Sequence, residues 1–372
     1  MANPAVAYPG VAHPLAQPMR TARSIPLPPL RLHQALQKSA TGCPLRNTHV
    51  MADTTRRLTY MHDLGIDADR RQFAVAAARG TQVRVARGVY LSTVAWAALD
   101  ADERYVARVY AVAGTRRNQP VLSHWSAAAV HGLPIVGDWP DAVHITVRPA
   151  AGGRNRNGIV AHAARLADDD VVELNGLLVT SLARTVLDMA ATATFMVAVT
   201  MADHVLHIDR FGRIPPLLTR TDLAEQFEHS RPLRSHRKID RVFTFAETRA
   251  ETPIESVSRV NMLVIGCPRP LLQSPFSDRD GFIGETDFEW RDYATLGEAD
   301  GDRKYLDAAY RSGRTVEQVM LDEKDREDRL RALPRRFARW RWKIAVRPGR
   351  LRAHLAAAGL PFGVPWASGI RD

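Results

Sequence analysis

Cysteine is nearly absent: Cys43 and Cys267 are the only two in 372 residues. That excludes a disulfide framework and any site built from several thiolates, such as a Cys-rich zinc ribbon, and it fits a reducing cytoplasm. Long apolar runs are also missing. The longest, around Phe195–Ala202, lies between Asp188 and Asp203 and is far short of the roughly 20 residues a bilayer needs. No transmembrane helix and no membrane partner are expected. Pro4, Pro9, Pro14 and Pro18 interrupt the apolar N-terminus, so no signal-peptide core is expected there. Acidic residues are the minority, 40 against 51 Lys and Arg, for a formal net charge of +11. Clustered cations displace the counterions condensed on phosphates, so the excess favours a polyanionic partner, with plain solubility as the competing explanation.

The length suits two or three domains, each with its own core. Residues 1–50 are rich in proline and small side chains without periodicity and read as a disordered tail; Met51 opens the first patterned segment and is a candidate natural start. A helix is expected from Thr55 to Leu64-Gly65, then a turn, then a second helix over Asp69–Arg79 closed by Gly80. Its expected apolar side is Phe73, Val75, Ala76 and Ala77. The run Gln82–Leu91 alternates apolar and basic residues around Gly88, as a hairpin does. Helix, turn, helix and hairpin over 51–95 spell a winged helix-turn-helix. In that geometry Arg70, Arg71 and Arg79 enter the major groove of double-stranded DNA, and Arg84 and Arg87 on the wing reach phosphate or the minor groove.

Residues 96–205 read as an α/β unit. Ser123 starts a short helix through His131, His144–Val147 and Gly158–Leu166 are strands, and Thr180 or Ser181 caps a helix carrying Leu182, Val186, Leu187 and Ala190. His124 and His131 lack a third ligand nearby, which favours cap and packing roles over metal binding. Residues 206–252 hold Pro215, Pro216, Pro232 and the cluster Arg231, Arg234, His236, Arg237, Lys238. They read as a basic linker or a loosely attached helical connector.

The last domain, 253–362, carries the candidate chemistry. Thr252 and Glu255 have capping-box spacing. Strict alternation puts Glu285, Asp287 and Glu289 on one face of a strand, and Leu296–Asp300 puts Glu298 and Asp300 on one face of the next. A hairpin would unite these acidic faces, and a divalent cation, Mg²⁺ by its preference for oxygen ligands, is the expected compensation; a solvated acidic hairpin is the plainer reading. Lys304, Lys324 and Arg326 are placed to offset transition-state charge. Glu323–Arg331 reads as a helix with i,i+4 pairs such as Glu327 with Arg331, and Arg339–Val346 as a strand whose basic face suits nucleic acid.

Three blocks carry a family resemblance: Val85–Tyr90; Val121–Pro134 with Gly176–Thr185 and Asp188; and Glu255 through Gln273, Asp287–Trp290, Gly297–Gly301, Lys304-Tyr305 and Glu323-Lys324 to Arg339-Trp340. Together they resemble actinobacterial proteins with an AbiEi-type antitoxin N-terminus, of type IV toxin-antitoxin systems, and a very-short-patch-repair-like PD-(D/E)xK nuclease domain. The resemblance implies an α+β multi-domain chain: N-terminal winged helix-turn-helix, middle α/β unit, and C-terminal α/β restriction-endonuclease-like domain. It implies Glu255, Asp287 and Glu298 as catalytic and metal-binding acids. Where that family has a catalytic lysine, two residues after the second acid, this chain has Asp300, so Lys304 or Lys324 substitutes or cleavage is lost. Two functions follow as expectations: a DNA-binding regulator with a cognate toxin partner, which the Asp300 departure favours, and a Mg²⁺-dependent DNA endonuclease.

Overall fold

The computed structural model describes residues 57–64, 67–116, 118–153, 155–233, 235–301 and 315–366, all within the compact unit Gly42–Asp372. The tail read at 1–50 and Lys304 lie outside the described residues. The described chain is mixed α/β, with twelve α-helices and three sheets, as an α+β multi-domain reading requires. Among the described residues no helix is long and apolar enough to cross a membrane.

The first sheet, ordered β1-β3-β2, comprises β1 (Thr59–Tyr60), β2 (Gln82–Ala86) and β3 (Val89–Ser92), with α1 (Asp67–Ala78) packed beside it. The expected hairpin is present, with a bulge between Arg84 and Ala86. The helix expected from Thr55 is corrected: among the described residues of that stretch there is a strand, not a helix. Thr59 and Tyr60 pair with Tyr90 and Val89, Leu58 is buried, and the Tyr60 hydroxyl donates to the Tyr110 carbonyl. Strand pairing and burial outweigh a weak local helical preference here. Helices α2 (Thr93–Ala98) and α3 (Ala101–Gly114) follow, the second opened by a full Asp100/Glu103 capping box.

The middle sheet runs β6-β5-β4-β8-β7, from β4 (Val121–Leu122), β5 (Val143–Val147), β6 (Ile159–Ala163), β7 (Val171–Leu174) and β8 (Leu177–Thr180). Between β4 and β5 stands α4 (His124–Val130). After β8, Ser181 caps α5 (Leu182–Thr192) by accepting from the Arg184 amide, as the sequence suggests.

Residues 206–252 are not a linker. They form α7 (Arg220–His229) and α8 (His236–Phe245), which pack on α5 and α6 (Phe195–Leu206). Leu223, Ile239, Val242 and Phe245 are buried in the same core as Met189, Val199 and Met201. Their helical spacing is masked in the sequence by the basic residues between them. A buried ion pair fastens this layer to α9 (Pro253–Val264). Arg259 donates to Asp203 at 2.6 Å and to the Phe245 carbonyl at 2.7 Å, while Asp203 also accepts from Ser256 and the Glu247 amide.

The last sheet, β12-β11-β10-β9, comprises β9 (Leu271–Asp278), β10 (Gly281–Trp290), β11 (Thr295–Asp300) and β12 (Arg336–Arg341). One face, with Phe288, Trp290, Ala299 and Trp340, packs on α9 and α12 (Pro348–Ala357). The other, through Ile283 and Leu296, meets Leu330 of α10 (Val316–Arg331). The strand expected over Arg339–Val346 ends at Arg341, because its partner β11 ends at Asp300; the chain then turns into α11 (Trp342–Ala345).

Candidate functional site

The anticipated β10–β11 hairpin is present, with Phe288 opposite Gly297 and Glu289 opposite Leu296. Strand alternation therefore sends Glu285, Asp287, Glu289, Glu298 and Asp300 to the face under α10. These acids are not solvated: Asp287, Glu289, Glu298 and Asp300, with Glu255 of α9, are all buried. Buried carboxylates require partners, and most of those visible here are arginines. Glu298 takes a two-pronged contact from Arg326, at 2.8 and 3.3 Å. Asp300 is paired with Arg339 at 3.1 Å, Glu289 with Arg335 and Arg291, and Glu285 with Arg210. Gly284 leaves the space through which the Arg326 stem passes: a Cβ there would lie 3.2 Å from its Cδ.

Glu255 and Asp287 are tied by Gln273, whose side-chain amide donates to Glu255 at 3.0 Å and reaches Asp287 at 3.5 Å. Gln273 adopts a left-handed backbone, φ 50°, which interrupts the β9 ladder. Asp287 also accepts from the Ala299 amide at 2.7 Å. The capping box expected at Thr252 is not made: Glu255 accepts from the Glu251 amide rather than from that of Thr252, and the Thr252 hydroxyl donates to Glu255 instead of accepting from a helix amide. Burial, then the Asp287 charge, lifts the Glu298 carboxyl to about 7, against the downward pull of Arg326. The two-pronged contact is that of an ionised carboxylate with a guanidinium, so the ionised pair is the form assigned.

Three oxygen-donor acids suit Mg²⁺ by chemistry, yet they do not fit it as arranged. Both Glu298 oxygens are engaged by Arg326, and among the described residues no group of three His, Cys, Asp or Glu side chains is placed to hold a metal. Lys324 lines an open recess of ≈ 780 Å³ with Asp300, Glu323, Glu327, Arg339 and Arg341. The Arg339 face expected to follow nucleic acid is instead committed to Asp300 and Glu327. Among the acids' partners, Arg326 was legible as a neighbouring cation, whereas Arg210, Arg335 and Arg339 carry no local signal.

The basic residues near the N-terminus behave differently. Arg71 and Val75 of α1 and Arg79 just past its end, at four-residue spacing, line one shallow recess of ≈ 440 Å³, and Val75 is exposed rather than part of an apolar side. Arg84 and Arg87 are exposed on the hairpin. Arg87 lines a second recess, ≈ 730 Å³, with Arg108 and Arg116, which the sequence did not single out. Arg70 donates to the Leu64 carbonyl. No described carboxylate pairs with Arg79, Arg84 or Arg87. No protein-family model and no curated protein matches the chain.

The histidines of the middle unit are packed against one another and the chain. His131 bonds the Thr180 carbonyl at 2.8 Å. His124 stacks on His162 with centroids 3.5 Å apart, and His162 shares a proton with His144 at 2.9 Å. Stacked imidazoles aim their in-plane lone pairs in parallel rather than at one point. Burial, first among the causes, lowers His124 to about 2 and His144 to about 4.

Proposed function

We propose that this chain is a double-stranded-DNA-binding regulator of the antitoxin type, with α1 and the β2–β3 hairpin as its DNA-contacting elements and a toxin as its protein partner. The carrying observation is the contrast between two sets of arginines. Those around the C-terminal acids are consumed by internal ion pairs, whereas Arg79, Arg84 and Arg87 have no described acidic partner. An uncommitted guanidinium on the surface displaces phosphate counterions at no cost in broken ion pairs. On this reading the C-terminal sheet is nuclease-like in shape, and its acids serve cohesion.

Replacing Arg84 and Arg87 together by Gln should weaken binding to every duplex and flatten the slope of log K against log salt by about 1.8, roughly 0.9 per phosphate contact. Fluorescence anisotropy across a salt series measures it, and an unchanged slope would count against the hairpin. The second reading, a Mg²⁺-dependent endonuclease, draws on the Gln273 bridge between Glu255 and Asp287 beside Glu298. Plasmid DNA incubated with the protein and Mg²⁺ or Mn²⁺ tests it. Nicking that chelator and Asp287→Asn both abolish would replace the regulator by the enzyme.

A further inference from the structure

An aromatic and cationic patch joins the segment after α6 to the β9–β10 hairpin. Phe211 and Phe282 are 62% and 50% exposed, and leaving large apolar rings in water is unfavourable by about 25 cal/mol per Å². The Arg210 guanidinium lies over both rings, 5.0 and 4.6 Å from their centroids, and Arg213 lies 4.2 Å from that of Phe211.

Both rings are presented by fixed backbone. Asp209 accepts from the Phe211 and Arg213 amides, forming a closed turn. Phe282 sits at the tip of the β9–β10 hairpin, where Arg329 grips Asp278 at 2.6 and 2.8 Å and bonds the Gly281 carbonyl. The patch also connects to the acidic face, since Arg210 pairs with Glu285 at 3.3 Å. Glu285 stands two residues before Asp287 on the same strand face, about 7 Å away by strand rise.

Exposed rings interleaved with guanidinia suit one ligand chemistry above others: an unpaired nucleobase that stacks on the rings, with its phosphate met by Arg213, whose side chain is 70% exposed and 4.0 Å from Asp209, while Arg210 stays paired with Glu285. A protein partner would call for a wider apolar patch with less charge. We propose that the Arg210–Phe211–Phe282 cluster binds single-stranded or locally unpaired DNA and leads it toward the Asp287 edge of the sheet. This inference rests on the reading that DNA is the partner, yet it concerns a different surface from the hairpin arginines.

The test compares full-length wild type, Phe211→Ala/Phe282→Ala and Arg84→Gln/Arg87→Gln by anisotropy with fluorescein-labelled oligo-dT and with a hairpin duplex. Stacking contributes about 1–3 kcal/mol per base, so the double Phe variant should lose roughly tenfold or more in oligo-dT affinity and keep most of its duplex affinity. The arginine variant should show the reverse. Phe211→Trp/Phe282→Trp should restore oligo-dT binding, which separates stacking from loss of structure. Unchanged oligo-dT affinity in the double Phe variant, with duplex binding intact, would overturn this inference alone. Failure of wild type to bind either probe would overturn both it and the DNA reading. Should the Phe variant instead lower the sedimentation mass of the protein, the patch is a contact between copies and the inference also falls.

Discussion

The Glu298–Arg326 pair offers the sharpest test of what holds the acidic face together. Arg326→Gln keeps a polar side chain, shorter than arginine, and removes the charge. Glu298 keeps 9% side-chain exposure and Arg326 24%, so water reaches mainly the arginine side. Removing one partner of a buried pair costs about 3–5 kcal/mol, and this partial exposure points to the lower end, about 3 kcal/mol. The loss should depend on pH with a definite sign. Glu298 already has its carboxyl lifted above the ordinary 4.5 to about 7, and without Arg326 it rises further. A carboxyl raised in the folded state contributes stability below its unfolded value, and that contribution disappears as pH rises through the folded one. The variant should therefore be hurt less near pH 6, where Glu298 takes up a proton, than near pH 8. Urea unfolding followed by tryptophan fluorescence, to which the buried Trp290 and Trp340 of this sheet contribute, measures it. Glu298→Gln/Arg326→Gln should lose less than the sum of the two single variants, with a coupling of about 1–3 kcal/mol. If Arg326→Gln stays within about 0.5 kcal/mol of wild type, or the cycle is additive, the face is not held by this pair.

Two further outcomes follow from packing and protonation. Gly297→Ala would place a Cβ 2.9 Å from both Trp290 and Trp340; it should cost about 1–3 kcal/mol by overpacking, read by the same unfolding assay, and a neutral result would mean the tryptophan pair is loosely set. The neutral histidine stack should make the middle unit acid-sensitive: His144, lowered to about 4, and His124, to about 2, contribute stability that is complete above the unfolded value of 6.5 and is lost as pH falls toward those values. Asp188, raised to about 6 chiefly by burial, opposes this between about 6 and its unfolded 3.8. His144→Gln should flatten the fall of the urea midpoint between pH 7 and 5, and a midpoint constant with pH in wild type would refute the stack's neutrality.

Much of the fold was legible because its signals are local. Alternation located β2, β3, β5 and β10, the Ser181 cap located α5, and the shared acidic face of the β10–β11 hairpin followed from strand parity. What failed depends on distant partners. Thr59 and Tyr60 became a strand because β3 was there to pair with them, and the 206–252 segment joined a core supplied by α5 and α6. The expected cation at the acidic face was inferred from charge repulsion and from the family resemblance. The compensating arginines stand up to 75 residues away, Arg210 against Glu285 being the farthest, where no spacing rule applies. At Asp300 the sequence departs from the lysine of the resembled family, and the structure places Arg339 and Arg341 beside that acid.

The helix α9 belongs to two cores at once. Val260 packs among the helices of the preceding layer, while Ile254, Val257 and Met262 pack on the last sheet, and Arg259 locks it to Asp203. A chain cut at residue 252, by a protease or by a gene truncation, would leave Asp203 on one fragment and its guanidinium on the other. Each piece would then hold a buried charge without its counter-ion, a penalty comparable to the whole stability of a small domain. The C-terminal sheet is thus not a detachable module, and it should unfold cooperatively with the helices that precede it.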